Sequence, residues 1–345
     1  MTCSAIRSIA IIGSGVSGLT VGNLARDAGL EPVLFEKARG PGGRISSKRL
    51  SGDSLDMGAQ YFTVRTPEFS AFLDRYAGAT IAPWSGRLLH ENDSGAMEAF
   101  PGEDRWVGVP RMSALSRKLS ENLTIESATP ARRASQQDGA WLLETDRGRY
   151  GPFDALVAAV PPAQAWALLP GVAGLDARQH PFEMAPCWAV AARFDPDPGL
   201  GFEGASLKSP VLDWVALNSS KPARDDHQDH GSWWVLHATP SWSSDRLEAS
   251  PDEVAHELIG VFRDRFAIAE APVEWAAHCW RYARPAGNTD SPGFLSLDEH
   301  RLGFCGDWLA GGRVEGAFSS GQGLMAHWTA QGLIDGAVPE PGRNG

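Results

Sequence analysis

Ile9-Ala-Ile-Ile-Gly-Ser-Gly-Val-Ser-Gly18 is the stretch whose reading decides the fold of this chain. A short apolar run ends in Gly13-x-Gly15-x-x-Gly18, and residues 16–28 then alternate apolar and small side chains at helical spacing until Gly29 supplies a stop. That order is strand, tight turn, helix. Gly13 permits the turn, Gly15 lets the backbone approach a pyrophosphate, and Gly18 lets the helix pack on the strand. The start of the helix, at Ser14, Val16 and Ser17, offers free N–H groups to phosphates. A second apolar strand, residues 32–35, ends at Glu36, where a carboxylate can take both hydroxyls of an adenosine ribose, with Lys37 beside it. The pattern specifies a dinucleotide-binding unit.

Composition narrows the class. With 345 residues, 43% hydrophobic and 21% charged, the chain is an ordinary globular one, long enough for two domains. Thirty-one basic residues against 42 acidic ones give a net charge of −11, which argues against a nucleic-acid or anionic-membrane partner. Cys3, Cys187, Cys279 and Cys305 lie far apart without metal-ligand spacing, so they read as packing thiols in a reducing compartment. The N-terminal apolar run is too short for a signal peptide, and no segment approaches the ~20 apolar residues of a membrane helix. A cytoplasmic location is expected.

The rest of the chain reads as an α/β and α+β protein: a Rossmann-like dinucleotide-binding domain with an inserted mixed-sheet substrate domain. The first domain is expected to be discontinuous, from 1–75, 104–163 and 278–338. The second takes 76–103 and 164–277, leaving 339–345 as a flexible tail. Residues 67–77 predict a helix, and 81–89 with 97–100 a small extended excursion. Ser113 predicts the cap of an amphipathic helix. A short strand around Ile125 precedes a β-meander over 132–149, turning at Asp138-Gly139. Residues 154–162 predict a buried strand stopped by two prolines. Strand-like runs at 187–194, 211–217 and 233–238, then one helix over 252–266, fill the substrate domain.

After Glu36 the chain does not start its next strand but runs through Gly40-Pro-Gly-Gly43, and Arg44 can meet a pyrophosphate as a charge-assisted donor. The ligand is therefore a long one, and here the sequence resembles the FAD-containing amine-oxidase-like superfamily. Residues 56–62, DMGAQYF, place Gly58, Ala59, Gln60 and Tyr61 where something planar could lie near the backbone. The segment Gly303-Phe-Cys-Gly306-Asp307 ends a strand in an aspartate, and 311–321 opens a last helix whose Ala317 and Gly321 allow close packing. By that resemblance Asp307 binds the ribityl or pyrophosphate part of FAD. The helix start at Val314, Glu315 and Ala317 would then favour a reduced anionic flavin.

RWVGVPRMS at 105–113, APCWA at 185–189, WVLHATPSWS at 234–243 and WRYARP at 280–285 narrow the resemblance to the renalases, especially the bacterial type. This implies a noncovalent FAD oxidase that returns mis-reduced isomers of NAD(P)H to NAD(P)+ and passes the electrons to molecular oxygen, forming hydrogen peroxide. The lysine that amine oxidases carry on a substrate-domain strand is missing from 187–194, and just before the last helix, where covalent members attach the flavin through a cysteine, this chain has Gly311-Gly-Arg-Val-Glu315. Candidate substrate-orienting residues are His237, Asn288 and Trp234, with no general base expected. The bland readings stand beside these: a satisfied core histidine, a turn asparagine, a core tryptophan. A flavin amine oxidase or desaturase is the alternative enzyme, and a flavin-binding module without redox chemistry the alternative from another class.

Overall fold

The computed structural model describes residues 5–175, 182–224, 231–286 and 291–335. Its first unit is a six-stranded sheet in the order Leu295–Leu297, Leu302–Phe304, Ala155–Ala158, Ser8–Ile12, Glu31–Phe35, Thr124–Glu126. Neighbours are parallel except the first pair. Ile9, Ala10 and Ile11 are wholly buried, which is why the strand reads as a continuous apolar run and not as an alternation. The helix Val16–Asp27 follows at once, and the last helix, Val314–Ala330, packs against it. A Cβ on Gly321 would sit 2.8 Å from the Ser17 carbonyl oxygen, so the small residue is what permits that approach. An antiparallel meander, Ala131–Gln137, Ala140–Thr145 and Gly148–Phe153, turns at Asp138 and Gly139, both at positive φ.

The second unit is a seven-stranded sheet: Glu274–Pro285, Met184–Phe194, Ser232–Ala238, Leu212–Leu217, Gly204–Ser206, Leu88–Glu91 and Met97–Ala99. One face, with Trp234, Leu236 and Ala238, is covered by the helix Pro251–Phe266 through Val254, Leu258 and Phe262. A reciprocal capping box of Ser250 and Glu253 starts this helix, and Ala267 in the left-handed region ends it. On the opposite face Trp233 and Val235 pack with Ala189, Ala191, Leu55 and Met57, which joins the sheet to the first unit.

Several expectations need correction. The sequence reading ends the substrate domain at 277, but Glu274–Pro285 is one strand paired along Met184–Phe194, so 278–285 lie in the large sheet. Ser113 is the first residue of its helix, which is capped by Met112 without a side-chain bond. Pro161 and Pro162 do more than stop a strand, because Pro162–Leu168 is a short helix with proline in its first turn. The helix Pro240–Ser244 and the strand Gly204–Ser206 lack a periodic signal long enough to read. Asn288 and the tail 339–345 lie outside the described residues.

Candidate cofactor and substrate site

The three glycines of the first turn do different work. Gly13 has φ 99°, and a Cβ there would lie 2.6 Å from the Ala159 carbonyl oxygen. A Cβ on Gly18 would stand 2.1 Å from the Gly13 carbonyl oxygen, so helix and strand are closer than any side chain allows. Gly15 is extended, and no heavy atom lies within 4 Å of where its Cβ would be. That open space faces a helix start with no side-chain cap and no acidic residue in its first turn. Leu19 is the first to bond back, to Gly15, so the N–H groups of Val16, Ser17 and Gly18 have no intrahelical acceptor. The Gly42 N–H donates to the Ser14 carbonyl and closes the loop over the turn. This is a cradle for an anion.

Glu36 is buried at the end of the second strand. One carboxylate oxygen accepts from the Ser14 N–H (3.0 Å) and hydroxyl (2.6 Å), and the other from the Ala38 N–H (2.8 Å). A carboxylate has about four acceptor positions, so capacity is left for ribose hydroxyls. Lys37 is exposed and points toward Gln164 (3.5 Å), and Ile125 stands opposite Leu34 on the edge strand.

Arg44, expected at the pyrophosphate, and Asp307, expected at the ribityl or pyrophosphate part, form a fork with each other: Nη1 to Oδ2 at 2.8 Å and Nη2 to Oδ1 at 2.5 Å. Arg44 also donates to the Ala283 carbonyl. Glu315 does not face outward from the last helix. Its carboxylate accepts from the Arg65 and Thr66 N–H groups and the Thr66 hydroxyl, tying the helix to Thr66, the cap of Pro67–Tyr76. At Gly58 the missing side chain admits a protein contact, since a Cβ there would meet the Arg44 carbonyl oxygen at 2.0 Å, and the Ala59 N–H donates to that same oxygen. The missing Cβ of Gly306 likewise makes room for the indole of Trp308. Val314 and Ala317 lie in the uncapped first turn of the last helix, a second N-terminus without a side-chain cap.

Between the two units lies a buried polar centre that sequence reasoning missed. Asp56 is wholly buried and accepts from Arg224, from the Ser47 hydroxyl (2.7 Å) and from the Met112 N–H (3.0 Å). The Lys221 ammonium, also wholly buried, is 3.7 Å from Asp56 and 3.0 Å from Gln60 Oε1. Burial alone would raise the Asp56 pKa, but Lys221 and Arg224 outweigh it and hold the carboxyl below its ordinary range. Burial lowers Lys221 to about 7 against the opposing pull of Asp56. Nothing in Ser219-Ser220-Lys221-Pro222 signals this, because the carboxylate that makes it possible is far away in the chain. Met184–Phe194 carries no lysine, and Lys221 enters this centre from the turn after Leu212–Leu217.

His237 occupies the centre of a cross-strand row, opposite Ala189 on one side and Trp214 on the other. Its Nε2 is 3.0 Å from the Met57 carbonyl oxygen, which also accepts from Trp280 Nε1 (2.9 Å). The ring keeps a small exposed edge, yet the protein around it is dense enough that burial lowers its pKa to about 4. Trp214 meets Tyr61 in a tilted ring contact, centroids 5.5 Å apart, and its Nε1 is a buried donor without a partner among the described residues. Trp234 does not join them. A strand alternates its side chains, so Trp234 points away from His237 into the helix-covered core, against Phe202 and Phe262. The structure therefore brings His237 to Gln60, sets Tyr61 against Trp214 on the neighbouring strand, and removes Trp234 from the site.

An open glycine, two uncapped helix starts, a carboxylate at the end of the second strand and an orphan indole donor fit a flavin dinucleotide. Its phosphates would meet Val16–Gly18 and its ribose Glu36. Among the described residues no cluster could hold a metal ion, and no helix is long and apolar enough to cross a membrane.

Comparison with known proteins is consistent with this geometry. Residues 11–76 match the family described as NAD(P)-binding Rossmann-like domain, and residues 66–323 match flavin containing amine oxidoreductase. Coproporphyrinogen III oxidase of Mycobacterium tuberculosis is 37% identical over 70 residues, 19% of this chain and 16% of that protein. The tRNA 5-methylaminomethyl-2-thiouridine biosynthesis bifunctional protein MnmC of Magnetococcus marinus is 26% identical over 198 residues, 45% of this chain and 29% of that protein. The matches thus span less than a third of either relative. Among solved structures, putrescine oxidase bound to putrescine superposes with a TM-score of 0.73 at 16% identity, covering 94% of this chain and 99% of the other. A CLA-producing fatty acid isomerase from P. acnes superposes with a TM-score of 0.71 at 12% identity, covering 95% of this chain and 100% of the other. At such identities these likenesses show the fold alone.

Proposed function

The chain belongs to the flavin containing amine oxidoreductase family, and on that premise we propose that it is an oxidase of mis-reduced dihydronicotinamide dinucleotides, as the renalase-like motifs suggest. Its cofactor is FAD, held noncovalently. Bound FAD would supply the two-electron acceptor for a hydride from the wrongly reduced ring, and molecular oxygen would take up those two electrons with two protons as hydrogen peroxide. The ring becomes an aromatic pyridinium by losing hydride alone, so the protein need only hold it at near-attack distance and keep water out.

The observation that carries this reading is His237, held through Nε2 by the Met57 carbonyl on the strand facing Trp214, with burial lowering its pKa to about 4, a polar ring suited to orienting an uncharged carboxamide. His237 and Asn288 would orient that group. The second reading, an amine oxidase, draws support from the family to which the chain belongs. Anaerobic rapid mixing of the flavoprotein with individual dihydronicotinamide isomers and with simple amines decides between them. Bleaching by a dihydropyridine at a rate nearly independent of pH supports the proposal. Brisk bleaching by amines alone, rising steeply with pH as the ammonium loses its proton, overturns it.

A further inference from the structure

Three successive carbonyls beside the candidate site are held from opposite sides. Gln60 Nε2 donates to the Asp56 carbonyl and to that of Gly58 (3.1 Å), while His237 Nε2 and Trp280 Nε1 converge on the carbonyl between them, that of Met57. Gln60 Nε2 and His237 Nε2 are themselves 3.4 Å apart. Both Gln60 protons are engaged by carbonyls, so His237 Nε2 cannot use them and must bring its own proton to Met57. Its other nitrogen, Nδ1, is left as a lone-pair acceptor, with no hydrogen bond and not closed off among the described residues. Lys221 locks the other end. Its Nζ donates to Gln60 Oε1 at 3.0 Å, so the amide cannot turn over without setting its N–H groups against an ammonium and its oxygen against two carbonyls. Asp56 at 3.7 Å and the Trp84 ring at 5.4 Å hold the ammonium, and Arg224 shares Asp56.

We infer that Lys221 is a positioning residue of this site: through Gln60 and the Asp56–Gly58 backbone it fixes the His237 ring with its proton on Nε2 and its acceptor nitrogen Nδ1 presented to the substrate. Such an acceptor selects a substrate with an N–H donor, a carboxamide over a carboxylate, a consequence that rests on the reading given under Proposed function. Lys221 touches no substrate and acts only through Gln60 and His237.

The test uses the full-length flavoprotein with 15N-labelled histidine. The wild type is expected to show His237 as the Nε2–H tautomer; a proton on Nδ1 overturns the inference without any variant. Lys221→Met keeps the shape of the side chain and removes its donor. It is expected to convert His237 to a mixture of tautomers and to raise KM for a dihydronicotinamide about fivefold, with kcat little changed, the size of one lost neutral hydrogen bond. Lys221→Arg restores a donor and is expected to restore part of the tautomer preference. In a Gln60→Leu background, Lys221→Met should do nothing further, because the relay is already cut. An unchanged tautomer in Lys221→Met, or additive effects of the two substitutions, would sink the idea. Should Lys221→Met not fold, the wild-type tautomer and the Lys221→Arg and Gln60→Leu spectra still decide it. If no dihydronicotinamide is a substrate, the functional proposal fails while the tautomer measurement still judges the relay.

Discussion

Replacing Gly15 by Asp should separate folding from flavin binding. Gly15 has φ −71° and ψ 179°, a conformation open to any L-residue, and no heavy atom stands within 4 Å of its Cβ position. It is also the N-cap of Val16–Asp27, where an aspartate can accept from the free N–H groups. The flavin-free variant is therefore expected to be as stable as wild type or more so, by up to about 1 kcal/mol, from the lost chain entropy of glycine and the new cap. The same carboxylate occupies the phosphate cradle, so FAD binding should disappear, and with it about 2.7 kcal/mol of ligand-linked stability at a flavin concentration 100 times Kd. Gly18→Ala is the contrasting control. Its Cβ would lie 2.1 Å from the Gly13 carbonyl oxygen, and the shift that relieves this should cost about 1–3 kcal/mol with or without flavin. Urea denaturation of flavin-stripped proteins, paired with flavin-fluorescence titration, measures both quantities. A Gly15→Asp protein that binds FAD as wild type does, or a stripped one that loses more than about 1 kcal/mol, would refute the assignment of the cradle.

Stability should fall as pH drops from 6.5 toward 4. The His237 pKa is lower in the folded protein than in the unfolded chain, so the unfolded state binds the proton first; His237→Asn should flatten an effect of at most about 3 kcal/mol in denaturation at graded pH. Arg44→Gln leaves the Asp307 carboxylate, 7% exposed, without its cation; because Arg44 itself is 31% exposed, the expected cost is about 1–3 kcal/mol, with weakened flavin retention on gel filtration. Trp234→Phe should cost about 1–3 kcal/mol of unfolding free energy while leaving the flavin reduction rate unchanged, whereas His237→Ala should slow reduction and leave no new pKa in its pH profile. A reversed pattern would put Trp234 back in the site.

Local rules determined much of this protein from sequence. The strand–turn–helix over Ile9 to Gly29, the strand ending at Glu36 and the Asp138-Gly139 hairpin each depend on residues within about thirty positions, where propensity, periodicity and turn chemistry act directly. Ser232–Ala238 was legible as a strand too, and the two-sided geometry of any strand separates His237 from Trp234 once one face is known to be covered by a helix. Which face that is, only tertiary structure decided. The same holds for the partners of charged groups. Arg44 meets Asp307 across 263 positions, Glu315 caps Thr66 across 249, and Lys221 reaches Gln60 across 161. A charged side chain carries no periodic signal and reads as solvent-facing unless its counter-ion is known. Burial of Lys221 becomes tolerable only when folding brings Asp56 and Gln60 to it, and neither residue announces that in its own neighbourhood.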